Sequence, residues 1–129
     1  RLRQGYLAVS PDASRRIREK GGGCKLTVKR GTGLERLETE LDVSELQANM
    51  LWPLAGPALI DKTRYRIPDG DGVLELDVYH GRHDGLVTVE REFGGVSEAE
   101  AWAPPPWAID DVTEDARYTN ARLALDGLP

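Results

Sequence analysis

Charged side chains recur at every second position on both sides of one turn. In DKTRYRIPDGDGVLELDVYHG, Asp61 to Gly81, the first half carries Lys62, Arg64 and Arg66, and the second carries Glu75, Asp77 and Tyr79. Side chains two apart on a strand share a face. Cations so placed can grip an anion that offers several oxygens: Arg forks take oxygens in pairs, and Lys acts as a point charge. Carboxylates so placed can hold a hard divalent cation or neutralise the cations opposite. The PDGDG between the halves reads as a turn, so the stretch is expected to be a hairpin with cations on one strand and anions on the other.

The same period runs through the chain. SRRIREK alternates around Arg16 and Arg18, and CKLTVKR sets Lys25, Thr27 and Lys29 against Cys24, Leu26 and Val28. ERLETEL sets Arg36, Glu38 and Glu40 against Leu37, Thr39 and Leu41, and LVTVEREF sets Thr88, Glu90 and Glu92 against Val87, Val89 and Phe93. Period two with β-branched residues predicts strands. The Gly-rich joints KGGGC, GTG, PDGDG and GRHDG predict short loops and antiparallel neighbours. Three short helices are expected. VSELQANMLW has Ser44 and Gln47 spaced as a capping box, Leu46, Met50 and Leu51 as its apolar side, and Pro53 at its end. SEAEAW stops at PPPW, and RYTNARLAL ends at Gly127.

Two arrangements satisfy this pattern. In one, a half-buried sheet shows its charged face to water, where ion pairs contribute roughly 0–1 kcal/mol each. In the other, the sheet closes on itself and the charges line a lumen. There Arg and Lys would hold a chain of phosphates, and Asp77, Glu90 and Glu92 would hold Mg²⁺ or Mn²⁺. The grouping of like charges within single strands favours the second, because it costs stability unless something binds.

Bulk properties narrow the classes. The chain has 129 residues, 40% hydrophobic and 30% charged, as expected for a single domain over residues 1–129. A formal net charge of −5 argues against nucleic-acid binding. No apolar run approaches the ~18 residues of a membrane span. With Cys24 alone, no intrachain disulfide can form, and a reducing, cytoplasmic setting is expected. Cys24 reads as structural. His80 and His83, in a Gly-rich turn, read as surface residues rather than zinc ligands. The GxxxxGK[ST] and GxSxG patterns are absent from the sequence.

Eight segments in order, RLRQGYL, RIR, LTVK, RLETE, IDKTRY, LELDVYHG, VTVERE and PPPWAIDDVTEDARYTN, resemble the CYTH family, the triphosphate tunnel metalloenzymes. MLWP, PPPW and VTEDARY make the likeness greatest to its small bacterial inorganic triphosphatases. The resemblance implies a mainly β fold, a closed antiparallel barrel of about eight strands with a few short helices, whose tunnel binds triphosphate with Mg²⁺ or Mn²⁺. It implies Arg16, Arg18, Lys29, Arg36, Lys62 and Arg64 as phosphate-binding cations, and Glu90 and Glu92 with Asp77 as metal ligands. Glu38, Glu40 and Glu75 would be supporting tunnel carboxylates, and Tyr6 with Lys62 a pair that activates water. The expected reaction is hydrolysis of inorganic triphosphate by a monomer or homodimer. The alternatives are cyclisation of ATP, as in adenylate cyclases of the family, and polyphosphate binding without turnover. The family's ExExK strand, which supplies two metal-ligating Glu, has no counterpart between Arg1 and Pro129. The expectation is that it lies upstream of Arg1; a protein lacking it would bind without turnover.

Overall fold

The period-two segments assemble into one curled sheet. The computed structural model describes residues 1–31 and 36–129. The end of the expected Gly31–Gly33 turn and Glu35 lie outside the described residues. The strands are β1 (Leu2–Ser10), β2 (Ala13–Lys20), β3 (Gly23–Arg30), β4 (Leu37–Val43), β5 (Leu59–Asp69), β6 (Gly72–Tyr79) and β7 (Val87–Arg91). They pair antiparallel in the order β4-β3-β2-β1-β5-β6-β7. The mainly β, antiparallel expectation is met, with seven strands. Among the described residues no ladder joins β4 to β7, so the sheet is not closed by hydrogen bonds. Its curvature is felt by Arg18 of β2, whose guanidinium interacts with Glu40 on β4, Arg64 on β5 and Glu75 on β6.

Tight turns join neighbours. Gly21 and Gly22 at φ +60° and +83° supply the two left-handed positions that a β2–β3 hairpin of this twist needs. A register shift between Tyr6 and Ala8 leaves Leu7 as an extra residue in β1, a bulge that bends the strand. The one long return is β4 to β5. There α1 (Glu45–Ala55) crosses the outer face so that β5 can pair with β1.

Helix α1 starts as expected: Ser44 Oγ accepts from Gln47 N–H, and the Gln47 side chain accepts from Ser44 N–H. Its packing differs from expectation. Ala48 and Ala55 are buried toward the sheet, while Leu46 and Met50 face solvent. Pro53 lies inside the helix rather than ending it, and Gly56 at φ +55° follows the last turn. The reason for the small residues is distance. A Cβ on Gly5 of β1 would stand 2.9 Å from Ala55 Cβ, so only Gly against Ala lets the helix lie this close. An open hollow of about 270 Å³ lined by Val43, Gln47, Met50 and Leu51 also lies on this outer side.

Helix α2 (Val96–Ala101) leads to Trp102, whose indole N–H donates to Asp69 at the β5–β6 turn. Helix α3 (Asn120–Asp126), capped by Thr119, packs at the other end of that hairpin. There Leu123 and Ala124 form a core cluster with Tyr6, Ala58, Ile60 and Tyr79. His83 corrects its expected surface role: it is buried, and its Nε2 donates to the Leu123 carbonyl. Arg82 donates to the Ala124 carbonyl at 2.8 Å. His80 is half-buried beside Thr63 Oγ1 at 2.7 Å. No helix is long and apolar enough to cross a membrane.

The close approach of α1 is testable. Gly5→Ala should lower unfolding free energy by about 1–3 kcal/mol through overpacking, measured by urea denaturation. Pairing it with Ala55→Gly should restore part of the loss.

Candidate active site

Strand register decides which side chains meet. One row across the sheet runs Asp42, Lys25, Arg18, Gln4, and the next runs Glu40, Thr27, Arg16, Tyr6. Glu38 stands opposite Lys29. On the other half the rows are Leu2, Lys62, Tyr79, then Arg64, Asp77, Thr88, then Arg66, Glu75, Glu90. The charged alternate positions of β2 to β7 therefore share one face, on which β1 places the uncharged Leu2, Gln4 and Tyr6. The centre of this face is enclosed. Lys62 is 0% exposed, Asp77 1% and Thr27 1%, whereas Leu37 and Leu41 on the opposite face are 73% and 52% exposed.

The most deeply buried charges form a network. Lys62 Nζ donates to Asp77 Oδ2 at 2.7 Å. Arg64 donates through Nε to Asp77 Oδ1 at 2.7 Å and through Nη2 to Oδ2 at 2.9 Å. The third guanidinium nitrogen of Arg64 reaches Glu75 at 2.9 Å. Burial alone would raise the Asp77 pKa, but hydrogen bonds from Arg64 and Lys62 outweigh it and hold the carboxyl below its usual range. Burial lowers the Lys62 pKa in spite of Asp77, since Lys62 shares its one anion with Arg64. Arg64 is raised, chiefly by its hydrogen bond to Asp77. Tyr79 lies under Lys62, with Nζ 5.5 Å from its ring centroid. Burial pushes its phenol up to about 12, and its hydroxyl donates to Asn120 Oδ1 at 2.9 Å.

The other half of the face is a crowd of cations. Arg18 is lowered by burial first and then by Arg16 and Arg64. Lys29 is lowered by burial, then by Arg16, with Glu38 opposing. Its ammonium is 3.9 Å from Glu38, and Lys25 lies 3.4 Å from Asp42 and 4.0 Å from Glu40. Arg36 is exposed, one residue ahead of β4, and its charge reaches Lys29. Among the described residues, five buried side-chain polar atoms have no hydrogen-bond partner: Gln4 Oε1, Arg16 Nε, Arg18 Nε, Thr27 Oγ1 and Thr88 Oγ1. All five residues lie on this face. A buried polar atom left without a partner costs about 1–3 kcal/mol, so five on one face mark a surface shaped for a polar occupant.

Tyr6 and Lys62, the pair expected to activate water, lie on this same face, and both border Tyr79. In the ladder Lys62 stands opposite Leu2, four residues from Tyr6. Tyr6 is instead opposite Arg16; burial raises its phenol pKa, with Arg16 and then Arg18 pulling it back. Both oxygens of Asp77 accept from cations, Lys62 and Arg64. Glu90 and Glu92 are exposed, on β7 and just beyond its end, and Glu90 stands directly across from Glu75. Carboxylates opposite one another repel unless a cation intervenes. Among the described residues no group of three or more His, Cys, Asp or Glu gathers to hold a metal ion. Sequence reasoning passed over Gln4 and Asn120. Gln4 shares the parity of Leu2 and Tyr6, and Asn120 follows a Thr cap, but neither carries a charge to flag it.

The Lys62–Asp77 pair gives a stability prediction. Removing one partner of a buried pair costs about 3–5 kcal/mol, so Asp77→Asn should destabilise by that order in urea unfolding at pH 7. The folded pKa of Asp77 is depressed, so its contribution is fully present above the unfolded value of about 3.9. It is lost as pH falls through the folded value. Asp77→Asn should therefore also flatten the stability–pH curve below about pH 4.

Comparison with known proteins agrees with this architecture. The chain is 43% identical over 127 residues to an inorganic triphosphatase of Nitrosomonas europaea, a match covering 96% of this chain and 83% of that protein. It is 36% identical over 123 residues to an inorganic triphosphatase of Acetivibrio thermocellus, covering 94% and 78%. A crystal structure of an inorganic triphosphatase superposes with a TM-score of 0.82 at 39% identity, over 99% of this chain and 86% of that one. No protein-family model matches the chain. Likeness of sequence and fold over nearly its whole length, together with a charged face carried on six of the seven strands, makes the chain a member of the CYTH family.

Proposed function

We propose that this protein binds inorganic triphosphate on the enclosed charged face and hydrolyses its terminal phosphoanhydride. The observation that carries the reading is the cluster of Arg16, Arg18 and Lys29, held together against their mutual repulsion, with two buried guanidinium nitrogens lacking an acceptor. A polyanion supplies both the missing charge and the missing oxygens. The relatives' activity is consistent with it.

In this reading Arg16, Arg18 and Lys29 hold the phosphates in line and stabilise the charge that spreads over the transferring phosphoryl oxygens. Arg36, exposed ahead of β4, adds positive charge at the rim, and Glu38 and Glu40 keep the lysines beside them oriented. Lys62 and Arg64 lie beneath, neutralised by Asp77 and Glu75, and leave the net positive charge to the three cations above. Tyr6 stays protonated at neutral pH because burial raises its pKa. It orients a water or a phosphate oxygen and does not act as a base. Glu90 and Glu92 offer hard oxygens next to Glu75, and divalent Mg²⁺ or Mn²⁺ is commonly held by one or two carboxylates plus the substrate's own phosphates. The donor set fits that mode. When bound, the ion neutralises phosphate charge and activates water. ATP cyclisation finds less support, since the aromatic rings of this face, Tyr6 and Tyr79, are packed under α3 and offer no platform for a base.

Phosphate release from tripolyphosphate should be seen with Mg²⁺ or Mn²⁺, and cyclic AMP should not form from ATP. Arg16→Ala should raise KM by about tenfold or more, the worth of a charged hydrogen bond. Glu90→Gln should raise the metal concentration needed for half-maximal rate. A protein that releases no phosphate with either metal would sink the proposal.

A further inference from the structure

We infer that Thr27 is a substrate-contacting residue, whose hydroxyl donates to a phosphoryl oxygen held by Arg16 and Arg18. This rests on the triphosphate reading above and names one more group in it. Thr27 sits in the middle of β3, between Lys25 and Lys29 on the charged face. It stands directly across from Arg16 on one side and Glu40 on the other. It is 1% exposed, and its Oγ1 has no hydrogen-bond partner. The Nε atoms of Arg16 and Arg18, on the neighbouring strand, are also buried and unpartnered. Three donors on two adjacent strands thus lack an acceptor, and each can donate to an oxyanion.

Two alternatives for the hydroxyl fail on geometry. Glu40 is the nearest register partner that could accept, but its carboxylate is drawn toward Lys25 at 4.0 Å and makes no bond to Thr27. A purely structural side chain at this position would be Val, which has the same shape, the higher strand preference and no polar atom to strand. A third lysine in the Lys25–Lys29 row would fill the space between the arginines and add to their repulsion. A short neutral donor leaves room for a tetrahedral group and still satisfies one of its oxygens.

The test is Thr27→Val beside Thr27→Ser, read by tripolyphosphate turnover and by thermal unfolding with and without tripolyphosphate. Thr27→Val should raise KM about tenfold, in line with the loss of a hydrogen bond to a charged group. It should shrink the ligand-induced rise in Tm, and should leave the ligand-free Tm equal or higher, since the stranded hydroxyl is gone. Thr27→Ser should keep KM near the wild-type value. A Thr27→Val protein with wild-type KM and a wild-type ligand shift overturns the assignment. So does one that loses ligand-free stability and kcat at unchanged KM, which is the signature of a structural residue. Wild-type protein with neither turnover nor a thermal shift refutes the parent reading, and this one with it.

Discussion

One carboxylate makes the rest of this sheet possible. Asp77 accepts from Lys62 and Arg64 in a setting where neither it nor the lysine touches water. Isolated, each of these charges would be expelled or neutralised at a cost of several kcal/mol. Together they form a compact unit in which two cations share one anion, and Arg64 finds its second in Glu75. With two cations and two carboxylates the unit carries no net charge, so the deepest layer holds ions without exposing a bare one.

The cost of this arrangement appears on the other side of the sheet. A half-exposed sheet normally buries its apolar face, but here the centre of the charged face is enclosed and the apolar face is covered only in part, over Ile17 and Leu74. Leu37, Leu41, Tyr65, Ile67 and Val87 face outward and are exposed. Helix α1 covers the outside of β1, and the Gly5–Ala55 contact is what brings it close. The apolar core proper is the cluster of Tyr6, Ala58, Ile60, Tyr79, Leu123 and Ala124 beneath α3. Stability therefore depends on few packed residues and on the buried ion network. That is why a single carboxylate matters so much to it.

Much of this was legible in the sequence, for a definite reason. Charge at period two is a stronger marker than hydrophobicity at period two, and it placed the charged residues of β2 to β7 on one face. Strand β1 escaped because its inward residues are Leu2, Gln4 and Tyr6, which carry no alternating charge. The outward orientation of Leu46 and Met50 was equally hidden. Helical spacing tells which residues share a side, but not whether anything covers that side. Partnership was the least legible. Lys62 and Tyr6 lie on the same face, yet the register of β5 against β1 sets Leu2, not Tyr6, beside Lys62. The burial of His83 depends on where α3 returns, forty residues later in the chain.

The two ends of the charged face are unlike, and that bears on which ligands it can take. At one end α3 lays Leu123 and Ala124 over Tyr6, Ile60 and Tyr79, anchored through its carbonyls by Arg82 and His83. This apolar floor adjoins Lys62. At the β4 and β7 edges stand exposed carboxylates, Glu38, Glu40, Glu90 and Glu92. An anion approaching without a cation meets like charge there, whereas one that brings a divalent ion meets ligands for it. The cations alone would accept any phosphate. The surrounding carboxylates make charge balance a condition of entry, and the floor gives the chain of phosphates a stop.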